Sequence, residues 1–127
     1  MKRRSGSLPA APLLAVAAML AGCASFTYPP VQPIPSLATI AGKWSGTIDY
    51  GDGPQLFYLT INPDGSLVAT GGTATNFGKV ALDGGKASFE IYPNSSGVLQ
   101  YLEGGGRRMI LLNEQFGAFT AQVTPLS

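Results

Sequence analysis

The sequence predicts an all-β protein: a small antiparallel up-and-down meander of about eight short strands, closed into a barrel. Three observations carry that expectation. From Ala41 onward the chain falls into short runs that alternate apolar and polar residues with period two. Glycine-rich turns separate these runs at roughly ten-residue intervals, the rhythm of an all-β domain. No stretch after Cys23 has helical periodicity. Eight antiparallel strands in an open sheet would expose two edges, and closure removes both. A β-sandwich is the alternative, but sandwiches usually need a long crossing connection, and sequential hairpins provide none.

The runs follow one another in order. Lys43 to Tyr50 places Trp44, Gly46, Ile48 and Tyr50 on one face and polar side chains on the other. Leu56 to Ile61 repeats the pattern. Asn62-Pro63-Asp64-Gly65 then forms a tight turn into Ser66 to Thr70, with proline at the second turn position and glycine supplying positive φ. Gly71 to Phe77 reads as the longest soft connection, and so as the favoured place for a functional loop. Lys79 to Leu82 and Lys86 to Tyr92 flank the hairpin signal Asp83-Gly84-Gly85. Val98 to Leu102 and Arg107 to Leu112 flank Glu103-Gly104-Gly105-Gly106, and Ala118 to Thr124 closes the chain with Phe119, Ala121 and Val123 on one face. An eight-stranded barrel is barely wide enough to be filled by its own side chains. Trp44, Phe57, Leu59, Leu67, Phe89, Ile91, Leu99, Phe119 and Val123 can fill it. Trp44, Tyr50, Phe57 and Phe89 are accordingly candidates for two roles, ligand contact or core plug, with the plug favoured for Trp44.

The front of the chain has a different character. Lys2, Arg3 and Arg4 precede an apolar run from Leu8 to Ala21 that is shorter than the ~20 residues of a membrane-spanning helix. The run ends in Leu20-Ala21-Gly22-Cys23, which resembles the lipobox of bacterial lipoproteins. The resemblance implies that residues 1–22 are a signal peptide cut between Gly22 and Cys23. It also implies that Cys23 carries covalent diacylglycerol and an N-acyl chain, with no other cofactor expected. In that family an aspartate after the cysteine retains the protein at the inner membrane. Ala24 stands there instead, so the implied location is the bacterial cell envelope, at the outer membrane. Residues 23–40 contain Tyr28-Pro29-Pro30-Val31-Gln32-Pro33-Ile34-Pro35 and read as a tether ahead of a domain at 41–127. Its prolines favour polyproline II, a semi-rigid spacer of ~40–50 Å or less at ~3.1 Å per residue.

Composition narrows the chemistry. The chain has no histidine, and its single cysteine is assigned to lipid, which removes the usual zinc ligands and the common nucleophile–histidine arrangements. No catalytic residue and no metal ligand set is assigned, and the expectation is a protein that is not an enzyme. Of eight lysines and arginines, three lie in the proposed signal, leaving Lys43, Lys79, Lys86, Arg107 and Arg108 against seven acidic residues. That scattered balance cannot neutralise a run of phosphates, so no nucleic-acid partner is expected. Asn62 to Ser66 lacks the downstream carboxylate of a calcium loop. Gly104 to Gly106 feeds a strand-like run, so it is no phosphate cradle. Gly42-Lys43-Trp44 resembles the G-x-W that opens the first strand of lipocalins and related calycins, whose tryptophan plugs one barrel end. That resemblance implies a barrel and an apolar small-ligand pocket. The family often lays an arginine or lysine from the final strand across the tryptophan, and Ala118 to Thr124 has neither. Two functional expectations follow. The domain is a protein-interaction or scaffolding module for an envelope partner, or it is a calycin-like carrier of a small apolar ligand or lipid, in either case held on a membrane by its anchor.

Overall fold

The computed structural model describes residues 28–126, which contain nine strands. They are β1 (Val31–Gln32), β2 (Gly42–Asp49), β3 (Pro54–Ile61), β4 (Ser66–Gly71), β5 (Ala74–Asp83), β6 (Lys86–Ile91), β7 (Ser95–Gly104), β8 (Arg107–Glu114) and β9 (Thr120–Pro125). From β2 to β9 each strand pairs antiparallel with the next, and β9 returns to pair with β2. The architecture is a closed eight-stranded meander barrel with β1 as an additional strand, not a two-sheet sandwich. All eight runs expected from the alternation are barrel strands. Burial follows the alternation: β6 runs exposed–buried through all six of its residues, and the nine side chains expected to fill the interior are all buried.

Turn chemistry sets the register. Gly84 and Gly85 have φ of 60° and 83° between the paired Asp83 and Lys86, and Gly105 and Gly106 have 61° and 78° between Gly104 and Arg107. Positive φ at both central positions gives the turn that matches the twist of the flanking strands. Inside the strands, Gly46, Gly78 and Gly97 approach a neighbouring backbone very closely: an added Cβ would lie 2.0, 1.9 and 2.0 Å from the carbonyl oxygens of Gln122, Glu90 and Asn113. Glycine at these positions lets the sheet coil tightly enough to close on few residues.

Two expectations need correcting. Gly71 to Phe77 is not a long loop. Gly71 pairs with Ala74 across Gly72-Thr73, and β5 already includes Ala74, Thr75, Asn76 and Phe77. The β-prone Thr75 and Phe77 pair with Thr70 and Val68, so polar composition concealed a short hairpin.

The second correction concerns residues 23–40, expected to stand off the barrel as a spacer. Along its described part this stretch is packed on the barrel. β6 begins at Lys86, whereas β7 continues to Gly104, which leaves backbone groups near Tyr101 and Leu102 for another strand to pair. β1 supplies it: Val31 pairs with Leu102 and Gln32 with Tyr101. The Glu103 amide donates to the Pro30 carbonyl at 3.1 Å, and the Ile34 amide donates to the Gly85 carbonyl at 2.9 Å. A 3-10 turn at Leu37–Thr39 follows, and Ile34 and Ile40, 2% and 0% exposed, seal that end of the core. The packed unit therefore includes the chain from Tyr28 onward, and the expected boundary at 40/41 falls inside it.

Candidate functional site

The strap formed by residues 28–41 meets the barrel at one end, around Trp44. The indole Nε1 donates to the Ile40 carbonyl at 3.0 Å. The Arg108 guanidinium lies 5.1 Å from the Trp44 ring centroid and 5.7 Å from that of Tyr101. Its Nη2 donates to the Thr39 carbonyl at 2.7 Å and its Nε to the Tyr101 hydroxyl at 3.0 Å, which in turn donates to Glu103 Oε1 at 2.9 Å. One cation thus joins strap, first barrel strand and the two strands β7 and β8. Arg108 belongs to β8, which neighbours the final strand in the ring.

At the opposite end Phe119 is the plug. It is 6% exposed and meets Phe89 at 6.0 Å and the edge of Tyr50 at 5.7 Å between ring centroids. Of the four aromatic candidates, Trp44, Phe57 and Phe89 lie buried in the core, with Trp44 at one end. Tyr50 is 53% exposed and sits on the rim, because its strand ends at Asp49. Cys23 and Gly22, the proposed lipid and cleavage positions, lie outside the described residues.

The carboxylates organise turns. Asp49 Oδ1 accepts from the amides of Gly51 at 2.7 Å and Gly53 at 3.3 Å, and Glu114 Oε1 accepts from Phe116 at 2.7 Å and Ala118 at 2.9 Å. Asp64 Oδ1 accepts the Ser66 amide at 2.9 Å and its hydroxyl at 2.7 Å. Those bonds, the amide foremost, hold the Asp64 carboxyl below the usual aspartate range. Glu90 pairs with Lys79 at 3.7 Å, both exposed. Among the described residues no group of three or more histidine, cysteine or acidic side chains is placed to hold a metal ion.

The surface carries what the interior does not. Leu56, Tyr58 and Phe77 are 69%, 46% and 64% exposed on the outward face of β3 and β5. Val68 of β4 pairs with Phe77 and lies diagonally from Tyr58, which pairs with Thr70. The result is an apolar strip across three adjacent strands, flanked by Thr60, Thr70 and Thr75. A second feature is an open groove of about 560 Å³ where β1 diverges from β6, bordered by Val31, Ile34, Ala87, Val98 and Leu99. Both were missed in the sequence, although Leu56, Tyr58 and Phe77 stand at outward positions of the alternation and so were detectable. This groove and two smaller hollows, one beside Tyr28 and one beside Pro29, are all open to solvent. Comparison with protein-family models, curated proteins and solved structures finds no match for this chain.

Proposed function

We propose that this chain is a non-catalytic, lipid-anchored envelope protein of bacteria whose barrel docks a partner protein through the outer wall of β3–β5. The observation that carries the reading is the strip of exposed Leu56, Tyr58 and Phe77, joined by half-buried Val68, on a barrel whose interior is occupied by its own core. Exposed apolar side chains scattered singly need no explanation, but a contiguous set spanning three strands points to a covering partner. Anchoring rests on Leu20-Ala21-Gly22-Cys23, with diacylglycerol and an N-acyl chain on Cys23 and residence at the outer membrane.

The test is native mass spectrometry of the mature protein taken gently from the envelope. The expected result is a protein-sized adduct that disappears in Leu56→Glu and Phe77→Glu and persists in Ser88→Glu, on the next wall. An adduct indifferent to the first two substitutions overturns the reading.

A second reading, a carrier of a small apolar ligand, is favoured by the groove beside β1, whose volume lies within the usual range for ligand sites. Trp44 under Arg108 adds to the calycin likeness. In this reading the ligand lies outside the barrel against Val31 and Val98. A reproducible small-molecule mass lost in Val98→Glu would make it the leading one.

A further inference from the structure

We infer that the protein lies with its β8–β9–β2 wall, on the side closed by the strap, against an anionic phospholipid bilayer. The inference rests on the lipoprotein reading above and adds an orientation to it. It begins from chain length. The strap is fixed to the barrel as far out as Tyr28, whose hydroxyl donates to Gln122 Oε1 on the outer face of β9. Pro29, the next residue, is buried, and outward-facing Leu102 and Met109 are covered, at 3% and 7% exposed. Five peptide links separate Tyr28 from Cys23, and at ~3.5 Å per residue they reach ~18 Å at most. A tether free through residue 40 would have spanned several times that distance. With Cys23 in the lipid interface, this leash keeps Tyr28 and the wall beneath it close to the headgroups, and the same leash prevents the β4–β5 wall, half-way round the ring, from taking that place.

Tyr28 itself lines a hollow with Thr47, Asp49 and Gln122, and the side chains that suit a headgroup interface stand toward the strap end of the same wall. Tyr28 and Leu126 are half exposed, at 50% and 49%, and the Leu126 amide donates to the carbonyl of Lys43. Exposed Lys43 and Arg107 lie at the same end of this wall, where Arg107 lines a hollow with Pro29, Thr124 and Pro125. An aromatic ring, an aliphatic side chain and two cations are the chemistry of a headgroup interface. On this wall the far end carries Asp49 and Glu114 and no lysine or arginine, whereas the strap end carries Lys43, Arg107 and Arg108; the strap end's own acids, Asp64, Asp83 and Glu103, belong to the stretch from β3 to β7, off the wall. An anionic surface therefore attracts the strap end of the wall and repels the other.

Acylation of Cys23 consumes the only native thiol, so a single introduced cysteine can be labelled alone. Full-length protein purified from membranes is reconstituted in phosphatidylcholine vesicles with a minority of phosphatidylglycerol and a headgroup-nitroxide lipid. A fluorophore is placed at Thr124→Cys or at Thr70→Cys on the opposite wall. Several-fold stronger quenching at 124 than at 70 is expected, falling toward equality when a Gly/Ser segment is inserted before Tyr28. The combined Lys43→Glu and Arg107→Glu change is expected to reduce quenching at 124 while flotation with vesicles is retained. Equal quenching at both positions in protein that carries the acyl mass overturns the orientation alone. Protein without the acyl mass overturns the anchoring, and the orientation with it.

Discussion

Replacing Arg108 with methionine keeps the length of the side chain and removes its charge and donors, which isolates what the guanidinium does at the closed end. Its bond to the Thr39 carbonyl is short, at 2.7 Å, and leaves from a cation. Hydrogen bonds of that kind contribute ~1.5–3 kcal/mol net. The contact with the Trp44 ring at 5.1 Å adds ~0.5–2 kcal/mol at a partly desolvated site. The Tyr101 hydroxyl keeps its bond to Glu103, which offsets part of the loss. Together these give a destabilisation of ~2–4 kcal/mol, a large share of the ~5–15 kcal/mol typical of a domain. For a domain of this size that lowers Tm by ~10–25 °C. Trp44 is the only tryptophan, so urea unfolding of residues 24–127 followed by its fluorescence reads the change without added probes. Hydrogen exchange locates it: the Ile34 and Ala41 amides, bonded to Gly85 and Leu37, should open faster than their counterparts in β3 and β4. A change under ~0.5 kcal/mol would refute the reasoning and reduce Arg108 to an ordinary solvated cation.

Three further outcomes are expected. Gly78→Ala puts a Cβ 1.9 Å from the Glu90 carbonyl oxygen, so β5 and β6 must separate; a loss of ~1–3 kcal/mol or more in the same urea assay is expected, and an unchanged midpoint would show that the coil absorbs the methyl freely. Glu114→Ala removes the acceptor for the Phe116 and Ala118 amides, loosening the loop that seats Phe119; a loss of about 1 kcal/mol is expected, with faster exchange at those two amides, and unchanged exchange would count against it. Asp64 is held below its ordinary range, so its contribution is present above the unfolded-state value and is lost as pH falls through the folded one; the stability difference between wild type and Asp64→Asn should shrink below about pH 4, and a difference constant with pH contradicts the turn geometry.

The parts legible in the sequence were those governed by neighbours along the chain. Alternation placed Trp44 and Ile48, or Phe119, Ala121 and Val123, on one face because side-chain direction in a strand depends only on position. Asp83-Gly84-Gly85 signalled a turn because its glycines occupy conformations that other residues resist. What stayed hidden depends on register between distant strands. Arg108 reaches Trp44 only once Ile110 lies opposite Val123 and Gly46 opposite the same residue from the other side. The strap was concealed for a similar reason. Four prolines read locally as a spacer, whereas the vacancy beside Tyr101 and Leu102 exists because β7 outruns β6. Even so, the spacing of Ile34, Leu37 and Ile40 among those prolines was an apolar signal, and two of the three became core.

A barrel filled by its own side chains can act only through its walls and rims, and here these are unequally supplied. The wall crossed by the strap carries the outermost described contact of the N-terminal segment, at Tyr28, with Lys43 and Arg107 toward its strap end. The wall half-way round the ring carries Leu56, Tyr58, Val68 and Phe77 with threonines between them. If the two proposals hold, anchoring and docking do not compete, since a leash of ~18 Å turns the apolar strip away from lipid as it brings the opposite wall toward it. That separation also explains why a strap is preferable to a free tether. A barrel on a long spacer could turn its apolar strip into the bilayer and hide it from any partner. In the proposed arrangement a barrel bound by its own N-terminal segment is kept from doing so: the pairing of β1 with β7 and the Tyr28–Gln122 bond fix that segment along one wall, while Arg108 joins Thr39 to Trp44 at the barrel end.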